Sequence, residues 1–205
     1  GPMSRGLGDV YKRQVLGYPE SYYSPPSESL SEIQIVRGAA SLQYGTQFGG
    51  LVNFITKSPN KVKPLEVIFR NSFGSNGLYT NFTSFSGTRK KLSYYSYVNY
   101  KTGDGFRPNS EFESKNIFSH IKYSFSSKTN FILELTNLNY LAQQAGGLND
   151  SMFNNDPYQS VRSRNWFKVN WLLYNAKLTH QFSDQTLFSF NSVSYTHLTL
   201  PTMVQ

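Results

Sequence analysis

The stretch that decides the fold is Ile33–Lys57, which reads IQIVRGAASLQYGTQFGGLVNFITK. Its two ends, residues 33–36 and 51–56, are short, alternating and rich in β-branched side chains, which predicts two strands. Residues 39–44 between them have the length for one or two helical turns. The rest of the connection is dense in glycine, which relieves crowding and permits positive φ angles. The segment is therefore expected to be a compact β-rich unit that ends near Pro59.

The chain after this segment predicts a meander of strands. In the stretch 115–126, Ile117, Ile121 and Tyr123 share one face, and His120 and Lys122 share the other, because strand side chains alternate. Several candidate strands have ten or more residues, near the ~9–11 that cross a bilayer at a tilt. The strands of soluble proteins centre on about 5–6 residues. Seven strands are predicted, near residues 65–73, 78–87, 91–101, 115–126, 129–141, 165–181 and 186–192.

The connections between these strands alternate between two length classes. The second, fourth and sixth are tight turns, whereas residues 102–114 and 142–164 form long loops. If the first strand runs outward, both long loops face the cell exterior and the tight turns face the periplasm. This asymmetry is typical of outer-membrane barrels. A soluble β-sandwich would show the same strand alternation. The length of the strands and the pattern of connection lengths are what distinguish a barrel from such a sandwich.

The glycine-dense segment also carries a composite motif that resembles the end of the plug domain of TonB-dependent outer-membrane receptors. Residues 43–50 are most similar to ferric-dicitrate-type receptors, although Thr46 stands where those commonly have proline. Glycan importers of the family usually carry Lys-Asp-Ala-Ser where this chain has residues 37–40, which argues against a glycan transporter. The motif residues are Arg37, Gly38, Tyr44, Gly45, Gly49, Gly50 and Asn53.

The resemblance implies an all-β fold: an antiparallel meander from a 22-stranded outer-membrane β-barrel, preceded by the C-terminal part of an α+β plug domain. Residues 15–60 are then the plug part and residues 61–192 the first barrel strands. Residues 1–14 and 193–205 resemble a tag scar and translated sequencing-adapter DNA, as found at the ends of metagenomic reading frames, so we expect both to be non-native. The alternative that they are native tails stays open.

The function implied by the resemblance is import of a ferric chelate, of citrate or siderophore type, into the periplasm of a Gram-negative bacterium. The implied partners are the chelate, outer-membrane lipid and, for the full-length protein, TonB. Gln47, Arg162 and Arg164 are the candidate ligand-binding residues, because guanidinium groups pair bidentately with carboxylates. Pairing of both arginines with nearby acids or solvent stays an open alternative. Arg37 is expected to be structural.

Part of such a receptor is expected to behave differently from the whole. The family's TonB-binding box is not in this sequence, so we predict that these 205 residues alone do not transport. Seven strands do not close the barrel, which predicts an exposed apolar band and poor solubility in water.

Composition and residue spacing argue against several other classes of function. The net charge is +8, but the basic residues are scattered, which argues against nucleic-acid binding. The chain has no cysteine, and its acidic residues show no metal-ligand spacing. His120 and His180 lie inside strand patterns, where ordinary wall or lumen positions are expected. We therefore predict no catalytic site, no metal and no cofactor. The competing functions are a passive porin or barrel adhesin, and a soluble all-β carbohydrate-binding module.

Overall fold

The computed structural model describes residues 25–36 and 51–203. The chain divides into two compact units between Ser58 and Pro59, and each is described by itself. Within the described residues, no helix is both long and apolar enough to cross a membrane.

The first unit contains a two-stranded antiparallel sheet. A 3-10 turn at Ser27–Ser29 leads into β1 (Leu30–Val36), which pairs with β2 (Leu51–Thr56). The backbone N–H of Lys57 donates to the carbonyl of Ser29 at 2.9 Å. Both strands predicted for this segment are confirmed. The predicted helical turn and the glycine-dense connection lie outside the described residues.

The second unit is a seven-stranded antiparallel sheet whose strand order in space equals the order in sequence. This confirms the predicted meander. Five consecutive strands, β4 to β8, are 11 to 19 residues long, which is enough to cross a bilayer. The strands are β3 (Glu66–Phe73), β4 (Tyr79–Arg89), β5 (Leu92–Gly103), β6 (Phe112–Ser124), β7 (Thr129–Gln143), β8 (Asn165–Ser183) and β9 (Thr186–Met203).

Two strand boundaries differ from the sequence prediction by more than two residues. β6 begins at Phe112 rather than near 115, because its first three residues pair with the end of β5, with Gly103 opposite Phe112. The sequence predicts that β9 ends at 192, yet the strand continues to Met203 along the full length of β8. The added residues are rich in Thr, Tyr and Leu, which favour strands whatever the origin of the sequence.

The two faces of the large sheet differ in burial: one face buries polar and aromatic side chains together, and the other leaves large apolar side chains open. We call the face that carries Asn99, Asn116 and Phe118 the mixed face. These three side chains are at most 5% exposed. The predicted set Ile117, Ile121 and Tyr123 does share the opposite face, but that face is open. A sheet in water normally buries its apolar face. Large apolar side chains on the open face, each between 36% and 81% exposed, include Val67, Phe69, Phe73, Phe85, Val98, Ile117, Ile121, Tyr123, Leu141, Leu172, Tyr174, Phe188 and Phe190.

The mixed face is built around an aromatic cluster at the centre of the sheet. Phe82, Tyr95, Tyr97 and Phe118 come from three neighbouring strands, and each is at most 3% exposed. The Tyr97 and Phe118 rings are 5.4 Å apart, and the Phe82 and Tyr97 rings are 5.6 Å apart. These separations lie in the range of favourable aromatic pairs. Serine and asparagine side chains surround the cluster on the same face: Ser84, Ser86, Asn99 and Asn116.

The segment that enters the sheet is fastened to β4 and β5. The Thr88 N–H donates to the carbonyl of Lys63 at 3.0 Å, and the Tyr94 hydroxyl donates to the carbonyl of Pro64 at 3.0 Å. Gly87 lies at this contact, where a β-carbon would stand 2.6 Å from the Pro64 carbonyl carbon. The sequence predicts Gly87 in a tight turn. It lies inside β4 instead. The residue there is a glycine because the backbone at Pro64 leaves no room for a side chain.

Candidate functional site

Three connections lie at one end of the large sheet, as the antiparallel order requires. They are residues 74–78, 104–111 and 144–164. The other three connections, at the opposite end, are short: residues 90–91, 125–128 and 184–185. The predicted alternation of long and short connections is therefore confirmed. We call the end that carries residues 104–111 (the middle loop) and residues 144–164 (the long loop) the long-loop end.

The long loop has a small folded element of its own. Helix α1 (Asp150–Asn155) begins after Asn149, whose side-chain oxygen accepts from the Met152 N–H at 2.8 Å. Asparagine is a favoured residue at this position because it satisfies an otherwise free helix N–H. At the other end of the helix, Gln159 Nε2 donates to the carbonyls of Met152 and Asp156 at 2.7 and 3.0 Å. The tip of the loop is therefore held by hydrogen bonds at both ends of the helix.

The two legs of the long loop approach each other at its base. The Val161 N–H donates to the carbonyl of Ala145 at 3.0 Å. Gly146 has a φ of +83°, and a β-carbon there would meet the Val161 side chain at 2.6 Å. Glycine is required at this position both by the backbone conformation and by the close approach.

The middle loop packs against the returning leg. The rings of Phe106 and Tyr158 are 4.8 Å apart and tilted by 31°. Asn109 Nδ2 donates to the Ser160 hydroxyl at 3.0 Å. The Arg107 guanidinium donates to the carbonyls of Gly146 and Gln159 at 2.5 and 3.3 Å. Sequence reasoning missed all three side chains of the middle loop, since nothing in a single sequence pairs them with the other loop.

The predicted ligand-binding arginines both lie at the foot of the long loop, just before β8. Arg162 and Arg164 are exposed, and Arg162 Cγ would be 3.1 Å from a β-carbon at Gly146. Among the residues that the structure describes, neither guanidinium has an acidic partner within 4.0 Å. Of the two open alternatives, pairing with nearby acids is thus not seen in the described part of the chain. Gln47 lies outside the described residues.

Of the predicted plug motif, only Asn53 lies in the described part. It is 3% exposed, and its Nδ2 donates to the side-chain oxygen of Gln34 at 3.0 Å, across the β1–β2 pair. A cross-strand amide pair of this kind helps to fix strand register. The other motif residues, which are Arg37, Gly38, Tyr44, Gly45, Gly49 and Gly50, lie outside the described residues.

Two histidines of the large sheet, His120 and His180, have hydrogen-bond partners on a neighbouring strand. On the mixed face, His120 Nδ1 is 3.0 Å from Glu134 Oε1, and Asn175 Nδ2 donates to Glu134 Oε2 at 3.4 Å. His180 hydrogen-bonds Thr129 at 2.8 Å through Nδ1. Both histidines are therefore held within the strand ladder. No cluster of three or more potential metal ligands occurs in the ranges 25–36 and 51–203.

Comparison with known proteins identifies the architecture. No protein-family model and no curated protein matches this chain. The solved structure of the ferric citrate transporter FecA in the unliganded form is similar with a TM-score of 0.70 and 21% identity, over 84% of this chain and 27% of that chain. The structure of the FpvAI–pyocin S2 complex is similar with a TM-score of 0.62 and 15% identity, over 80% of this chain and 23% of that chain. The fold is TonB-dependent receptor-like. This chain spans about a quarter of the length of each of these two structures.

Proposed function

We propose that this chain is a section of a TonB-dependent outer-membrane receptor that imports a ferric chelate of citrate or siderophore type into the periplasm. In this proposal residues 15–60 are the end of the plug domain, and residues 61–192 are the first strands of a 22-stranded barrel. The flanking residues 1–14 and 193–205 are non-native. The whole receptor is a transporter rather than an enzyme, and TonB drives it.

The observation that carries the proposal is the open apolar face of the large sheet. Large apolar side chains line the open face, whereas asparagines and serines are buried beside the aromatic cluster on the other face. A soluble carbohydrate-binding module would pack two sheets together through their apolar faces, and the described strands of this unit form a single sheet. An open apolar face on strands of 11 to 19 residues suits a barrel wall in contact with lipid.

The chemistry at the long-loop end supports the proposed ligand class. An anionic chelate presents carboxylate or other oxygen donors, which guanidinium groups bind in a bidentate manner. Arg162 and Arg164 are exposed there, and no acidic partner competes for them among the described residues. One of the two similar proteins is a ferric citrate transporter, which makes ferric citrate the first probe to use. Gln47 is proposed as a third ligand-binding residue.

The test is equilibrium binding of radioactive ferric citrate to the chain refolded in detergent micelles. The double variant Arg162→Gln/Arg164→Gln should weaken binding at least tenfold, because each charge-assisted hydrogen bond contributes about 1.5–3 kcal/mol. The matched control is Arg89→Gln/Lys90→Gln, which removes the same charge at the opposite end of the sheet and should bind like the parent chain. Equal binding by both double variants would contradict the proposal for these arginines. Ferric hydroxamates and cobalamin serve as competing probes for the ligand class.

A further inference from the structure

We propose that Arg107 is a positioning residue: its guanidinium ties the two legs of the long loop together and thereby fixes where Arg162 and Arg164 stand. The inference deepens the proposed function and rests on it, because the positioned arginines are the proposed ligand contacts. An arginine in an exposed loop next to a binding site would ordinarily be assigned a role in binding the ligand. The geometry of Arg107 assigns it to the protein instead.

The donors of Arg107 are directed at backbone carbonyls from both legs of the long loop. One terminal nitrogen donates to Gly146 in the leg that leaves β7, and the other donates to Gln159 in the leg that returns to β8. A lysine would present a point charge in place of this planar fork, so it would not bridge two carbonyls in the same way. The side chain is half-buried, which limits competition from water.

Neighbouring residues of the middle loop make the contact continuous. Phe106 stacks on Tyr158, Arg107 bonds Gln159, and Asn109 bonds Ser160, so the two loops match in order along their length. The chain can make these contacts because Asn109 adopts a φ of 60°, a left-handed conformation that asparagine tolerates. The middle loop therefore acts as a fixed support for the returning leg.

The backbone connects the legs that Arg107 ties to the proposed binding residues Arg162 and Arg164. The Ser160 hydroxyl donates to the carbonyl of Arg162 at 3.0 Å, and the Val161 N–H donates to the carbonyl of Ala145. Tying the legs at Gly146 and Gln159 also shortens the free part of the loop, which lowers the entropy cost of holding it closed. Without the tie, we expect the foot of the loop to open and Arg162 and Arg164 to sample many positions.

The experiment measures opening of the loop without any ligand. The chain refolded in micelles is treated with trypsin, and cleavage after Arg162 and Arg164 is timed by mass spectrometry. Arg107→Gln should speed this cleavage roughly tenfold, since hydrogen bonds from a charged donor are among the stronger ones in proteins. Arg107→Lys should be nearly as fast, because it keeps the charge and loses the fork. Arg89→Gln, which removes an exposed arginine at the opposite end of the sheet, should match the parent chain.

A second variant tests the base of the long loop without touching the arginine. Gly146→Ala introduces a β-carbon against Val161 and Arg162, so it should also speed cleavage. Unchanged cleavage in Arg107→Gln, or full protection in Arg107→Lys, overturns the inference.

Binding of ferric citrate separates this inference from the proposed function. Arg107→Gln should weaken binding, and combining it with Arg162→Gln should add little beyond Arg162→Gln alone, because the two changes act through one element. Fully additive losses would indicate that Arg107 binds the anion directly, which overturns the positioning role. If the parent chain does not bind ferric citrate, the proposed ligand fails, and the cleavage rates alone decide the role of Arg107.

Discussion

His120 and Glu134 face each other across β6 and β7, with His120 Nδ1 3.0 Å from Glu134 Oε1. Their side chains are 18% and 14% exposed, and the second carboxylate oxygen of Glu134 accepts from Asn175 in β8 at 3.4 Å. One carboxylate thus joins three adjacent strands on the mixed face of the sheet. A buried carboxylate that loses its hydrogen-bond partners costs free energy. The contacts of Glu134 therefore favour the register in which β6, β7 and β8 are paired.

Replacing Glu134 with glutamine should lower the free energy of unfolding by about 1–2 kcal/mol, because the charge-assisted contacts become neutral ones. The measurement is urea unfolding of the chain refolded in micelles, followed by tryptophan fluorescence at neutral pH. The control is Glu113→Gln, whose partner Lys115 lies 2.6 Å away but whose pair is 45% and 57% exposed. An exposed pair contributes little, so the control midpoint should not move. Equal shifts in the two variants would show that burial of the His120–Glu134 pair has no effect.

Phe118 and Ile117 are neighbours in sequence that occupy opposite faces of β6. Phe118 is 1% exposed within the aromatic cluster, whereas Ile117 is 41% exposed. Phe118→Ala should cost about 3–5 kcal/mol of stability through the cavity it leaves. Ile117→Ala should cost much less in the same unfolding measurement, since the side chain has few neighbours to lose. A larger loss at Ile117 would mean that the mixed and open faces had been assigned the wrong way round.

The sequence predicts the strands well and the loop contacts poorly, for a physical reason. Alternation in the stretch around Ile117 and Ile121 is a local signal, because each strand carries its own two-residue period. The sequence also names Arg162 and Arg164, and places them correctly in the long loop. It does not indicate that Arg107 bonds Gln159, since that contact joins residues far apart in the chain. The predicted strand end at 192 is wrong because a segment of doubtful origin still has side chains that favour strands.

A lysine on the open face should hinder insertion into a bilayer. Ile117, near the middle of β6, is 41% exposed on that face, and a lysine near the bilayer midplane costs about 2–4 kcal/mol in a membrane barrel. Ile117→Lys should therefore reduce the fraction of chain that becomes protease-protected on mixing with lipid vesicles.

The control for this lysine is Thr179→Lys, which adds the same side chain to the mixed face beside Lys177. It should insert like the parent chain, because the mixed face does not meet lipid in the proposed barrel. Equal insertion of the two lysine variants would contradict the assignment of the open face to lipid.

Gly87 allows the segment that enters the sheet to lie against β4, so a methyl group there should release it. In Gly87→Ala the new β-carbon meets the carbonyl group of Pro64. The hydrogen bonds from the Thr88 N–H to Lys63 and from the Tyr94 hydroxyl to Pro64 should then break. Each contributes about 0.5–1.5 kcal/mol, so amide exchange at Thr88 should accelerate roughly tenfold. Cleavage after Lys61 by a lysine-specific protease should rise with it.

The matched substitution is Gly147→Ala in the long loop, where a β-carbon would meet nothing within 4 Å. It should change neither amide exchange at Thr88 nor cleavage at Lys61. The pair of variants separates close approach from the general loss of a glycine, because both replace glycine with the same residue. If Gly87→Ala leaves Thr88 protected from exchange, the backbone of residues 60–64 has room to shift. That result would contradict the conclusion that close approach requires a glycine at position 87.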